Sequence, residues 1–256
     1  MHLTKNTLSS VELNLIDICN RTCTFCPRGV GFENTKNQMS HKTIDSIASS
    51  LRDIEYKGTI TLAGFGEPML HKKIINYVQT LKNSVQFKQI KLITNGDYLN
   101  ADIAGKLVRA GVNCIKVSMY DKDMTEHFES FLQQYDIERI YKHYYDGLPE
   151  EVEVNRNDMW KKAKPLLIKK ACYLPFYKMF INWNGDVGLC SNDWNVSQVF
   201  GNVNTHQIHE IWESSYFNSY RKMLAANSRA ASPCLSCDVN GQVLGKESFE
   251  YYTNNA

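Results

Sequence analysis

Apolar positions recur along the chain in two alternating rhythms. "VELNLI" (11–16), "GTITLAG" (58–64), "IKLITNG" (90–96) and "CIKVSM" (114–119) are short runs of the kind that form buried strands. Between them the period changes to that of a helix. Ser40 precedes a stripe of Ile44, Ile47, Ala48 and Leu51, which predicts an N-capped helix over 41–53. Ile74, Ile75, Val78 and Leu81 predict a helix over 71–83, and residues 99–110 another, closed by Gly111. A helix near 124–134 and a strand near 137–142 are expected next. About five βα units follow from this pattern, too few for a closed eight-stranded barrel, so the expected fold is α/β: a partial, open parallel β/α barrel. Beyond residue 150 the rhythm breaks. "YKMFINWNGDVGLC" (177–190) predicts two short strands about a turn at Asn184-Gly185, and 205–224 one helix. The expected division is residues 1–150 for the barrel and 151–256 for a small α+β module.

Four unusual loops share one position in this pattern. The segment after the first strand, "GFGEP" (64–68), "TNG" (94–96) and "SMYD" (118–121) each end or follow a strand. In a parallel sheet those ends meet at one edge, where sites are built. Composition adds mainly exclusions. With 29 Lys+Arg against 27 Asp+Glu the formal net charge is +2, so no pull toward nucleic acid or anionic membrane is expected. No apolar run is long enough to cross a bilayer, and the first ten residues lack a secretory apolar core. A cytoplasmic protein is expected, and there disulfides are disfavoured.

Eight cysteines then need another use. Cys114 sits in an apolar strand and reads as core. Cys19, Cys23 and Cys26 are spaced C-x3-C-x2-C in a polar loop, and Cys172, Cys190, Cys234 and Cys237 are spread over the last third. Three thiolates in one loop fit a structural zinc, with His41 or a distant Cys as fourth ligand. They also fit a [4Fe–4S] cluster with one iron left open. The spacing, Phe25 before the last Cys and the parallel frame favour the cluster. The later four, read by themselves, favour a closed zinc site, and read with the upstream motif a closed cluster.

"CNRTCTFC" (19–26) resembles the signature of the radical S-adenosylmethionine (SAM) superfamily. "GFGEP", "MSHKTIDSI" (39–47) and "TNG" resemble further parts of it, over most of residues 10–120. The resemblance implies that Cys19, Cys23 and Cys26 hold a [4Fe–4S] cluster whose open iron is chelated by SAM. One electron then splits SAM and yields a 5′-deoxyadenosyl radical. It also implies that Gly66, Glu67 and Pro68 meet the methionyl amino group, that Asn95 and Ser118 reach the ribose or carboxylate, and that Phe25 lies against the adenine or shields the cluster. Read without the family, Asn95 is a turn residue before Gly96 and Ser118 a strand end.

The order C-x12-G-x4-C…C-x2-C from Cys172 to Cys237, with "GNVNTHQIHEIWESSYFNSYRKML" (201–224), resembles the SPASM/twitch extension of the same superfamily. No cysteine follows Cys237, which matches the shorter twitch form with one auxiliary cluster. The nearest resemblance is to twitch-type dehydrogenases that oxidise an alcohol of an aminocyclitol. It implies an oxidoreductase with two [4Fe–4S] clusters and SAM. Hydrogen is abstracted from a carbinol carbon of a small polyol, aminocyclitol or sugar derivative, and the second electron passes to the auxiliary cluster, giving a ketone. An external electron donor such as flavodoxin or ferredoxin is implied. A radical SAM peptide maturase or epimerase using the same clusters is the alternative. In "VNRNDMW" (154–160) the resemblance puts Arg156 in the substrate pocket, hydrogen-bonded to the reacting hydroxyl; its ordinary reading is an ion pair with Glu151 or Glu153. Asn192, Asp193, Arg28, Tyr120 and His143 are further pocket candidates, while Trp160, Trp183 and Trp194 read mainly as packing. Metal analysis of anaerobically purified protein separates the readings. About eight irons per chain are expected; about two zinc ions without iron would contradict the clusters.

Overall fold

The computed structural model describes residues 2–23, 26–119, 128, 134, 139–144 and 170–255. Its sheet has eight strands: β1 (Ser10–Leu13), β2 (Thr59–Leu62), β3 (Gln89–Thr94), β4 (Cys114–Met119), β5 (Arg139–Tyr144), β6 (Lys178–Ile181), β7 (Asp186–Gly188) and β8 (Val199–Asn202). Their order across the sheet is β5-β4-β3-β2-β1-β6-β7-β8. All pairs from β5 to β6 are parallel, and β6-β7 and β7-β8 are antiparallel. Among the described residues the two edges of the sheet do not pair, so the barrel is open.

The helices follow the expected stripes. α1 is His2–Thr7, α2 His41–Asp53, α3 Ile74–Ser84 and α4 Ala101–Ala110. α5 is Leu174–Tyr177, α6 Ile208–Trp212, α7 Ser215–Ala225 and α8 Lys246–Asn255. The Ser40 side chain accepts from Thr43 N at 3.1 Å and fixes the start of α2. Ile44, Ile47 and Leu51 of α2 are wholly buried beside Val11 and Leu13 of β1. Asn100 caps α4 in the same way, accepting from Ile103 N at 3.0 Å.

The strand expected at 137–142 is β5; the helix expected at 124–134 falls largely outside the described residues. Two findings depart from the sequence pattern. The helix expected over 205–224 is two helices, because Ser214 caps a new start by accepting from Phe217 N. The second departure concerns the late strands, which are not a separate sheet: β6 pairs with β1 along Ser10–Leu13. The chain ends also meet. α1 packs on α8, and Ser248 donates to the Thr7 carbonyl at 2.9 Å. No described helix is long and apolar enough to cross a membrane. Ser40→Ala removes a helix cap and is expected to lower the unfolding free energy by about 1 kcal/mol, measured by chemical denaturation.

Candidate iron–sulfur and SAM site

Parallel pairing of β1 to β4 brings their C-terminal ends to one edge, as the loop positions require. There a cavity of about 150 Å³ is lined by Cys19, Cys23, Cys26, Gly66, Glu67, Asn95 and Ser118. Pro68 begins the 3-10 turn just beyond it. Phe25 and Arg156 lie outside the described residues, as do Tyr120 and Trp160. His143 is described only as backbone of β5.

Hydrogen bonds and one steric fit hold these loops in register. Glu67 accepts from Thr94 Oγ1 at 2.7 Å, Asn95 N at 2.8 Å and Met69 N at 3.0 Å. Its carboxylate thus ties the β2 loop to the end of β3. Burial pushes the Glu67 carboxyl up, and the three donors pull against that. Gly66 lies where a Cβ would come within 2.1 Å of the Ile16 carbonyl oxygen, so only glycine lets the β2 loop cross the start of the cysteine loop. Asn95 donates toward Cys19 Sγ at 3.8 Å and to Asn20 Oδ1 at 2.9 Å. Its amide therefore does more than form a turn.

Further residues hold or line the site. Arg21 grips Asp97 with Nε–Oδ2 at 2.7 Å and Nη2–Oδ1 at 2.5 Å, and that guanidinium holds the Asp97 carboxyl below its usual range. Arg28, read as a pocket candidate, lines the cavity and is also a buried clasp. It donates to Phe65 O at 2.9 Å, Glu33 O at 3.1 Å and Asp17 Oδ1 at 3.2 Å. Trp194 lies in the cavity wall and belongs to an apolar cluster with Phe65 and Phe180, against which Cys26 and Phe32 pack. Its ring centroid is 4.8 Å from Phe65 and 5.0 Å from Phe32. Asp193, read as facing substrate, accepts from Ser197 N at 2.8 Å and Oγ at 3.0 Å. Trp183 packs against the main core.

The later four cysteines form a second group. Burial and then the Cys172 thiol push Cys190 up to about 12. Cys234 is driven up by burial and by Cys190, Cys172 and Cys237. Cys172 and Cys237, 65 positions apart in sequence, are brought into one region, where Arg229 donates to both Lys170 O and Cys237 O. The Asn240-Gly241 segment folds back over Cys172. Tyr173 N donates to Gly241 O at 2.7 Å, and Gly241 has φ +72°, with room for no Cβ beside Cys172 Sγ.

In the first group, burial, Cys26 and Cys19 push Cys23 up to about 11. Seven thiols gathered into two groups resist ionisation unless a cation holds them as thiolates. All eight cysteines, including the buried Cys114, are thiols rather than disulfides. Three thiolates leave one iron of a cube open and four close it, so the two donor sets fit [4Fe–4S] clusters. His41 is an exposed residue at the start of α2, beside Asp45.

Comparison with known proteins agrees with this geometry. Residues 13–124 match the family model of the Radical SAM superfamily, and residues 172–238 that of SPASM, an iron–sulfur cluster-binding domain. The chain belongs to the radical SAM superfamily and carries a C-terminal iron–sulfur module. Its cofactors are accordingly SAM, a [4Fe–4S] cluster and an auxiliary cluster. It is 25% identical over 245 residues to the S-adenosyl-L-methionine-dependent 2-deoxy-scyllo-inosamine dehydrogenase of Niallia circulans, covering 95% of this chain and 97% of that protein. It is 26% identical over 178 residues to the GTP 3',8-cyclase of Pasteurella multocida, covering 62% and 51%. The crystal structure of BtrN in complex with AdoMet and 2-DOIA has the same fold, with a TM-score of 0.81 at 24% identity over 94% of this chain and 97% of that one.

Gly241→Ala is expected to push the 237–241 loop off Cys172. Iron content should fall from about eight to about four per chain, while full iron loading would contradict the fit.

Proposed function

We propose that the protein is a radical SAM dehydrogenase that oxidises a secondary alcohol of a small polyol, aminocyclitol or sugar derivative to a ketone. The observation that carries this reading is the pair of thiol groups, three at the strand-end cavity and four in the C-terminal module. Alignment along nearly the whole length of the inosamine dehydrogenase supports the substrate class. When bound, the cofactors supply a 5′-deoxyadenosyl radical for hydrogen abstraction at the carbinol carbon and a sink for the second electron.

In this proposal the chain's residues bind, orient and shield. Cys19, Cys23 and Cys26 hold the cluster that meets SAM, and Cys172, Cys190, Cys234 and Cys237 hold the auxiliary one. Three ligands leave one coordination place for the cosubstrate; four leave none, which suits electron uptake. Asn95 directs its amide at the Cys19 sulfur, and N–H groups near cluster sulfurs favour the reduced state. Gly66, Glu67, Pro68 and Ser118 receive the methionyl and ribose parts of SAM, with Phe25 against its adenine. Phe32, Phe65 and Trp194 exclude water beside Cys26, protecting reactive species from the solvent. Arg156 stays a cation at any working pH and stabilises negative charge on the substrate oxygen as its proton leaves. Residues 1–150 form the barrel and 151–256 the auxiliary module. An external donor such as flavodoxin or ferredoxin supplies the first electron, in a reducing cytoplasm.

The test is anaerobic turnover of the reduced protein with a panel of polyols and aminocyclitols deuterated at the carbinol carbon. One deoxyadenosine carrying deuterium is expected per ketone formed. Ketone without SAM cleavage, or an epimerised alcohol in its place, would contradict the proposal. Arg156→Ala should lower kcat by roughly 10²–10³-fold with iron content unchanged.

A further inference from the structure

Arg229 occupies a place that the cysteine pattern does not account for. It is a largely buried arginine between α7 and Cys234. Nε donates to Lys170 O at 3.3 Å, Nη1 to Val239 O at 2.7 Å and Cys237 O at 3.4 Å, and Nη2 to Asn240 O at 3.0 Å. Four of its five N–H groups are thus spent on main-chain carbonyls. Lys170 lies two residues before Cys172, and Cys237, Val239 and Asn240 form the loop that folds back over it. One guanidinium therefore spans both chain segments that carry Cys172 and Cys237.

The charge is as telling as the hydrogen bonds. Among the described residues no carboxylate pairs with Arg229, and every partner named above is a neutral carbonyl. A buried cation without an anion is costly. Thiols that can carry negative charge stand close to it: Cys172 is two residues from Lys170, and Cys237 is a residue whose carbonyl it binds. Arg221, the other buried arginine among the described residues of this module, has a different environment. It stacks 4.1 Å over Trp212 and 4.2 Å over Phe217, and donates to Pro175 O at 2.8 Å.

We infer that Arg229 is a positioning residue for the auxiliary cluster and sets its reduction potential, its guanidinium serving as the fixed counter-charge to the four thiolates. This rests on the reading that Cys172, Cys190, Cys234 and Cys237 hold an iron–sulfur cluster. Four thiolates make such a cluster anionic, and each electron added makes it more so. A fixed cation a short distance away, in a site with little water, stabilises the added electron. Arg229 therefore raises the cluster's affinity for the electron that an oxidised substrate gives up. A lysine keeps the charge but not the fork that reaches four carbonyls. Charge and positioning are therefore separable.

The experiment uses the full chain with Cys19→Ala, Cys23→Ala and Cys26→Ala combined, so that the auxiliary cluster alone is observed. Iron content and the midpoint potential, from an EPR-monitored redox titration, are compared for Arg229, R229K and R229Q. About four irons are expected in the parent; a parent without iron overturns the cluster reading itself, separately from the role of Arg229. R229Q is expected to be harder to reduce by at least tenfold in equilibrium constant, about 59 mV for one electron, with R229K within threefold of the parent. R229Q with full iron and an unchanged potential overturns the inference. Should R229Q fail to hold iron, R229K decides: full loading at the parent's potential upholds the counter-charge, and loss of iron in R229K as well overturns it.

Discussion

A single buried carboxylate holds the working edge of the sheet together. Glu67 reaches from the β2 loop to the hydroxyl of Thr94 and the main chain of Asn95, and so fixes the spacing between two strand ends. Asn95, placed in this way, points its amide at Cys19. The cysteine loop is held on its other flanks by Arg28 to Phe65 and Asp17, and by Arg21 to Asp97. Three thiols in a polar loop have no stable arrangement of their own. Hydrogen-bonded neighbours on three strand ends give them one.

The same logic operates at the second thiol group with different parts. There the sulfurs come from chain segments far apart in sequence, and a guanidinium and a glycine bring them together. Arg229 gathers carbonyls from both sides, while Gly241 allows the returning loop to lie on Cys172. Pairing of β6 with β1 joins this module to the barrel, and the Trp194–Phe65–Phe32 contacts carry the joint up to Cys26. A water-poor aromatic wall thus runs from the first thiol group into the module that holds the second.

Much of this was legible in the sequence because strands and helices of a parallel α/β sheet repeat with different periods. The Ser40 cap and its stripe gave α2 with both ends correct, and β4 agrees residue for residue. The cysteine spacings pointed to both groups before any contact was known. What stayed hidden was tertiary. Arg28 lines the cavity as read, but its burial and its bonds to Phe65 and Asp17 were not legible, and Asp193 is spent on Ser197. Nothing in the spacing of Arg21 and Asp97, 76 positions apart, announces their ion pair. The break at Ser214 was readable as a cap signal, but the apolar stripe running across it masked it. α1 and α8 are short and stabilised by each other, so neither has a strong pattern alone.

The central claim is that one thiol group leaves an iron open for SAM while the other does not. Mössbauer spectra of protein reconstituted with ⁵⁷Fe, recorded with and without SAM, test it directly. Addition of SAM should alter the signal of one iron in about eight and leave the rest unchanged. A spectrum that does not respond to SAM, from protein holding its full iron, would contradict the account.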